Sequence, residues 1–305
     1  MREVLVSIVI PTYHRPDRIA RAVESALKQT CEAKEIIVVD DNGKDSEFAH
    51  QTKLALQPYL DGQSIQYIQN EVNEGGSFSR NVGLREATGK YITFLDDDDE
   101  IHPEKLEKQI RSLEERGETY SACYTGYHKL LKDGEVMESE EKIEGYVYPY
   151  ALARAIYVGS GSNLLVRTEI ARKIGGYDVS FKRNQDLEFL ARMVKDYQLA
   201  YVDEDLLTIH YEVREVKRSY EELVAIDTHY LNAFKGEIAQ LSKENQDKIY
   251  HTIALERWRY ALQNNQLQDG LKNLRKNHVP MRLFFRYLRY LMDRVSRKKS
   301  YGFKA

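Results

Sequence analysis

Behind the apolar run "YITFL" the chain carries Asp96, Asp97, Asp98, Asp99 and Glu100 in unbroken succession. Neighbouring carboxylates repel one another, and the repulsion grows where water is thin. An acidic loop in open solvent is cheap, but this one begins where an apolar strand ends, so a positive partner is expected. A strand places residues i and i+2 on one side, which lets Asp96 and Asp98 reach a common ligand as the strand runs out. Hard divalent cations take oxygen ligands, and Mg²⁺ is usually held by one or two carboxylates together with substrate phosphates. The cluster therefore suits Mn²⁺ or Mg²⁺ carrying a diphosphate. The alternative is a solvated turn that caps a helix opened by Pro103, whose N-terminus favours negative charge. That accounts for Asp99 and Glu100 but not for four aspartates.

The elements that must position this run can be read from hydrophobic period. Residues 4–10, "VLVSIVI", are rich in β-branched side chains and stopped by Pro11, which predicts a buried strand. Ile19, Ala22, Val23, Ala26 and Leu27 recur at helical spacing, and "EIIVVDD" (35–41), "IQYIQ" (65–69) and "YITFL" (91–95) read as three further strands. Helices are expected over 79–87, before Gly89, and from Pro103 to about Arg116, closed by Gly117. Strands alternating with helices imply a parallel, three-layer α/β sheet with right-handed crossovers and a ligand crevice beyond the carboxyl ends of the strands. Three of those ends carry "PTYHR", "DDNGKD" and "DDDDE", which should converge. Residues 159–178 read as loop, strand, helix and glycine-rich turn, and 184–197 as a helix with Leu187, Leu190, Ala191 and Val194 on one face. From about Tyr220 helices alone are expected, so residues 1–220 form one domain and 221–305 a helical region, in which "ERWRYALQNNQLQDGLKNLRKN" suggests a helical hairpin.

The order and spacing of "VSIVIPTYHR", "EIIVVDDNGKD" and "NEGGSFSRNVGLREATGKYITFLDDDD" closely resemble the nucleotide-binding half of family 2 glycosyltransferases, of the bacterial surface-polysaccharide type. The likeness continues more loosely through "GGYDVSFKRNQDLEFLARM" to about residue 210. It implies a GT-A-type, Rossmann-like three-layer α/β sandwich with a C-terminal helical extension. It also implies a UDP-sugar donor, a saccharide or lipid-linked glycan acceptor, and a divalent cation. Carried over residue by residue, Pro11, Thr12 and Tyr13 would lie against base and ribose, and Asp40 would bond the uracil edge. Asn73, Gly75 and Arg80 would close around the nucleotide, and Arg15 and Asp97 complete the binding set. Asp96 would meet the ribose or the metal shell, and Asp98 would ligate the metal. The family often has a small residue where Asp97 stands. The residues themselves leave other roles open: Tyr13 packed on the first helix, Asp40 and Asp41 as turn residues, and Arg80 as an ion pair with the acidic run.

An acceptor hydroxyl is a poor nucleophile, so direct displacement at the sugar needs a base on its opposite face, and displacement implies inversion. The resemblance places that base at Asp186 in "NQDLEF", where Gln185 stands in place of a frequent glutamate. Glu188 is the reserve, although two residues along a helix it faces elsewhere. The resemblance also puts His210 of "TIHYEVREVKRSY" near the diphosphate and metal, and "GSGSNLL" in the acceptor wall. For Asp186 the alternative is a helix N-terminal acid held by the dipole.

Composition is that of a soluble globular chain, 42% hydrophobic and 30% charged with a net charge of −3, which excludes global disorder. Cys31 and Cys123, far apart and without metal-ligand spacing, read as reduced thiols. No transmembrane-length window and no cleavage site are found, so a cytoplasmic placement is expected. Residues 271–305 hold eleven lysines and arginines against one aspartate. Met281, Phe284, Phe285, Leu288, Leu291, Met292 and Val295 fall at helical spacing there, with Arg282, Arg286, Arg289 and Arg297 mainly off the stripe. A basic amphipathic helix over 280–299 suits an anionic membrane surface on the inner face of the cell membrane, or packing on protein; no nucleic-acid module surrounds the charge. Two other functions use the same residues: a Mg²⁺-dependent phosphohydrolase with an aspartate nucleophile, and a non-catalytic nucleotide-sugar-binding protein.

Overall fold

Valine and isoleucine in unbroken runs make the strands nearest the acidic loop, because side chains buried on both faces of a sheet need no polar alternation. The structure, a computed structural model, describes residues 5–210 and 218–305. In chain order the first elements are β1 (Val6–Thr12), α1 (Ile19–Leu27), β2 (Lys34–Asp40), α2 (Glu47–Asp61), β3 (Gln66–Gln69), α3 (Gly76–Glu86) and β4 (Tyr91–Phe94). Then come β5 (Asp99–Ile101), α4 (Lys105–Arg116), β6 (Tyr120–Leu130), β7 (Val136–Ser139), α5 (Tyr148–Leu152), β8 (Leu165–Arg167), α6 (Thr168–Lys173), α7 (Gln185–Met193) and β9 (Gln198–His210). The rest is α8 (Tyr220–Ala233), α9 (Lys235–Gln240), α10 (Lys243–Gln263), α11 (Leu267–Lys276), α12 (Met281–Ser296) and a two-residue strand, β10 (Lys299–Ser300). Two compact units result: Met1–Tyr146 with Val158–Tyr211, and Val147–Tyr157 with Glu212–Ala305. Where one passage near residue 220 was expected, the chain passes between units three times, because 147–157 belongs with the C-terminal residues.

In the first unit β3, β2, β1 and β4 are parallel neighbours in that order. The parallel expectation ends there. β8 pairs antiparallel with β4 and with β6, β7 forms an antiparallel pair with β6, and β9 runs parallel to β6 while pairing antiparallel with β5. β1 also runs two residues past the stop that Pro11 suggested. Val9 O accepts from Leu95 N at 2.8 Å, and the pairing of β1 with β4 ends at Val9. The amide that Pro11 lacks would point to the side where no ladder remains, so proline costs nothing there.

Helices cover both faces. Ile8, Ile10, Ile36 and Val38 pack with Ile19 and Val23 of α1 and Leu106 and Leu113 of α4. On the other face Phe94 meets Tyr177 and Phe189 of α7 edge-on, at 5.1 and 6.0 Å between centroids. Both cysteines are free and buried, and burial pushes the Cys123 thiol up to about 12.

The second unit has its own core of Leu255, Trp258, Tyr287, Tyr290 and Phe303. Asp227, fully enclosed, lies between Arg154 at 2.7 Å and Arg257 at 3.3 Å. The expected helical hairpin is α10 against α11, where a Cβ on Gly270 would come within 2.8 Å of Ala261 Cβ.

α3 lies so close to β1 that a Cβ at Gly83 would sit 2.2 Å from Val9 Cγ1. Helix propensity alone favours alanine there by about 1 kcal/mol, but Val9 is β-branched and fully buried, so overpacking of about 1–3 kcal/mol should win. Gly83→Ala is therefore expected to lower the denaturant midpoint at unchanged slope; a raised midpoint would show that Val9 gives way freely.

Candidate active site

The acidic run meets the positive partners that its repulsion demands. Arg15, in the loop after β1, donates from one Nη to Asp97 at 2.7 Å and to Asp98 at 2.6 Å. Arg80, on α3, donates to Asp96 at 2.5 Å and to Gln185 at 3.2 Å, with its guanidinium 5.4 Å from the Tyr177 ring centre. Arg21 of α1 donates to the Asp98 carbonyl at 2.9 Å.

The aspartates differ in burial along the turn that follows β4, closed by the Asp99 amide donating to the Asp96 carbonyl at 3.1 Å. Asp96 and Asp98 keep 24% and 19% of their side-chain surface exposed, against 6% for Asp97. Asp97 turns inward, accepting from Thr12 Oγ1 at 2.8 Å, and burial raises its pKa while Arg15 opposes the rise. Expected to meet the nucleotide directly, Asp97 is instead enclosed between Thr12 and Arg15. Asp99 is buried too, accepting from the Ser160 and Ser162 hydroxyls at 2.6 Å each. Burial, with the Asp96 charge adding, pushes its carboxyl up to about 8. Ser162 Oγ also accepts the Asp96 amide at 3.0 Å, so the "GSGSNLL" turn is bonded directly to the acidic loop.

The three polar strand ends converge as expected. The His14 amide donates to Asn42 Oδ1 at 2.7 Å, joining "PTYHR" to "DDNGKD". Asp40, closing β2, accepts from the Asn42 amide at 2.8 Å, Asn42 Nδ2 at 2.7 Å and the Tyr67 hydroxyl at 2.6 Å. Asp41 serves the turn: it takes Asn70 Nδ2 at 2.7 Å, the Glu74 amide at 3.0 Å and the Gly75 amide at 2.8 Å. Gly75 caps α3 with φ 90°, a conformation open to glycine, and Asn73 stands exposed on the same loop. Pro11 is buried in β1.

Tyr13 is exposed and stacks on His14 at 3.8 Å between ring centres, and His14 stacks on Phe48 at 4.1 Å. This row of three rings was missed in the sequence, since Phe48 arrives from α2, a helix the periodicity did not reveal.

Asp186 lies in the first turn of α7. Its Oδ1 is buried without a hydrogen-bond partner, and a Cβ on Gly161 would fall 2.7 Å from it. Burial raises its pKa; the Arg80 guanidinium opposes this and the Asp96 charge adds. Arg80 Nε is likewise buried and unpartnered. Both atoms are enclosed polar groups that the fold leaves without a hydrogen bond, which is uncommon for buried polar atoms. The reserve acid, Glu188, is buried and bonded to Arg192, which also donates to the Ile174 and Gly176 carbonyls at 2.7 and 2.8 Å. It is a structural ion pair.

His210 closes β9 with Nε2 2.6 Å from Glu100 Oε2, so its partner is Glu100. The residues after it, 211–217, lie outside those described. Among the described residues no group of three or more His, Cys, Asp or Glu side chains could hold a metal by itself. The donor set still fits a cation shared with a diphosphate, for which one or two carboxylates suffice, and the partly exposed Asp98, paired with Arg15, is the candidate.

A profile of the family described as Glycosyl transferase family 2 matches residues 7–175. A Haemophilus influenzae protein named "Uncharacterized glycosyltransferase" is 27% identical over 192 residues, 63% of each chain. A Bacillus subtilis protein named "Putative teichuronic acid biosynthesis glycosyltransferase TuaG" is 37% identical over 136 residues, 44% of this chain and 51% of its own. The matches thus cover less than two thirds of either relative. Among solved structures, S. aureus TarS 1-349 in complex with UDP-GlcNAc superposes with a TM-score of 0.65 at 20% identity, covering 91% of this chain and 82% of that one. The mannosyltransferase PcManGT from Pyrobaculum calidifontis, in complex with GDP-Man and Mn²⁺, gives 0.58 at 16% identity over 89% and 74%. Identities this low speak for the fold alone, and the fold is GT-A.

Arg15→Ala leaves the inward carboxylate of Asp97 without its counter-charge. Breaking a fully buried pair costs about 3–5 kcal/mol; with Arg15 at 28% side-chain exposure, a loss of about 2 kcal/mol is expected in chemical denaturation. Adding Asp97→Asn should restore part of it, whereas a single variant as stable as the parent chain would remove the counter-charge role.

Proposed function

The chain belongs to glycosyl transferase family 2, and we propose that it is a divalent-metal-dependent, inverting enzyme that moves a hexosyl group from a UDP-sugar to a saccharide or lipid-linked glycan. One observation carries this reading: Asp96 and Asp98, each partly exposed, stand at the end of β4 beside Arg80, whose guanidinium pairs with Asp96 and also acts on the buried Asp186 carboxylate. Family membership leaves the phosphohydrolase alternative without support.

The exposed face of Tyr13, held by its stack on His14 and Phe48, offers a platform for the base. Asp40 is fully enclosed and accepts three internal hydrogen bonds, so a uracil N–H would reach its remaining acceptor site only with a shift of the loop at Asn42. Asn73, on the loop that Asp41 staples, and Gly75 border the same site. A cation bound at Asp98, with His210 beside Glu100 as a further contact, would neutralise charge on the departing diphosphate. Arg15 and Arg80 hold Asp96 and Asp98 outward for that encounter. Asp186 takes the proton of the acceptor hydroxyl as its oxygen attacks the anomeric carbon and the bond to UDP breaks. A carboxylate whose proton affinity is raised by burial is better matched to this task near neutral pH than an exposed one. The names of the relatives and neighbours support nucleotide-sugar chemistry, and the Bacillus subtilis relative supports a surface-polysaccharide acceptor. A cytoplasmic location, with peripheral contact at the membrane, fits that acceptor; no helix among the described residues is long and apolar enough to cross a bilayer.

The first experiment screens UDP- and other nucleotide-sugars for slow donor hydrolysis, read as released nucleotide. UDP from a UDP-hexose is expected, and turnover of GDP-sugars alone would reject the uridine assignment. Asp186→Asn should bind UDP as before while kcat falls roughly 10²–10⁴-fold, the scale of a general base; undiminished turnover would rule Asp186 out. Asp98→Ala should remove the Mn²⁺ dependence of UDP affinity in calorimetry, and equal affinities with and without Mn²⁺ in the parent chain would discard the metal role.

A further inference from the structure

The helix that the sequence marked as one basic amphipathic stripe has two apolar faces. Phe284, Tyr287 and Tyr290 of α12 turn into the second unit, where Phe284 meets Trp258 edge-on at 4.8 Å and Tyr287 donates to Glu256 at 2.6 Å. Met281, Phe285, Met292 and Val295 lie on another side and are 61–78% exposed. At 1.5 Å per residue they form a stripe about 21 Å long. Exposed apolar surface of this kind marks a binding face.

Charge identifies its occupant. Arg282, Arg286 and Arg289 stand exposed along one flank, and Arg297 and Lys298 are exposed beyond the end of α12. Neither Arg282 nor Arg289 makes a hydrogen bond or ion pair with a described residue. We propose that this face docks on an anionic lipid bilayer, the four apolar side chains entering the headgroup region and the arginines meeting lipid phosphates. A second copy of the chain is a poorer occupant, because an antiparallel two-fold pairing would bring the arginine flanks together and a parallel one would leave them without a counter-charge. The proposal stands apart from the sugar-transfer reading, since none of these residues belongs to the candidate active site.

The test is cosedimentation of the full chain with phosphatidylcholine vesicles, with and without phosphatidylglycerol. Deleting the helix would remove Tyr287 and Tyr290 from the core, so exposed positions are changed instead. The parent chain is expected to bind only the anionic vesicles and to be released by salt. Arg282→Gln with Arg289→Gln should weaken partitioning about thirty-fold, from roughly fivefold per cation. Phe285→Glu with Met292→Glu should abolish it at an unchanged Tm. Equal binding to both vesicle types, no binding to either, or unchanged binding by these variants overturns the proposal. So does a dimer in light scattering that Phe285→Glu dissociates. Donor hydrolysis in solution, followed in the same samples, separates failure of this face from failure of the active-site reading.

Discussion

Two arginines set the terms on which the first unit can present aspartates at the end of β4. Arg15 comes from the loop behind β1 and Arg80 from α3, so the acidic loop is balanced only when both elements are seated on the sheet. The charge compensation is therefore a consequence of the fold, and it selects which carboxylates remain available. Asp97 is consumed by Thr12 and Arg15 and Asp99 by two serines, while Asp96 and Asp98 keep exposed surface. A run that looked like four equal acids is two enclosed groups alternating with two that are ion-paired and keep about a fifth to a quarter of their surface exposed.

Much of this arrangement was legible. The Val/Ile runs of β1, β2 and β4 announce buried parallel strands, and the polar residues at their ends announce where a crevice must lie. What escaped was decided by partners distant in sequence. α2 buries only Ala49, Thr52 and Leu56, too few for its period to stand out, although Ser46 accepts the Ala49 amide at 3.0 Å as an N-cap should. The β6–β7 hairpin carried a readable sign in its Asp133-Gly134 pair, but the pairings of β6 with β8 and β9 carried none. Asp97 could be known to turn inward only after Arg15 and Thr12 were placed beside it. Asp186 was found by its motif, while its orphaned oxygen depends on Gly161, from a different element.

In the second unit the sequence pattern ran several surfaces together. The seven apolar positions of α12 look like one stripe because core-facing and solvent-facing residues adjoin on the helix wheel. Separating them needed Trp258 and Glu256 of α10, which claim Phe284 and Tyr287 and leave Met281, Phe285, Met292 and Val295 uncovered.

The short excursion of residues 147–157 into the second unit bears on how the polypeptide can be divided. Arg154 pairs with Asp227, the Ala151 carbonyl accepts from the Tyr230 hydroxyl at 3.2 Å, and a Cβ on Gly302 would collide with the Ala155 carbonyl at 1.8 Å. These partners are translated late, so a ribosome that has finished the first unit's strands holds an eleven-residue insert in which Arg154 still lacks Asp227 and Ala151 still lacks Tyr230. Cutting after residue 211 would freeze the chain in that unfinished condition. The C-terminal helices of this chain are thus not an interchangeable appendage, and replacing them would mean replacing the insert as well.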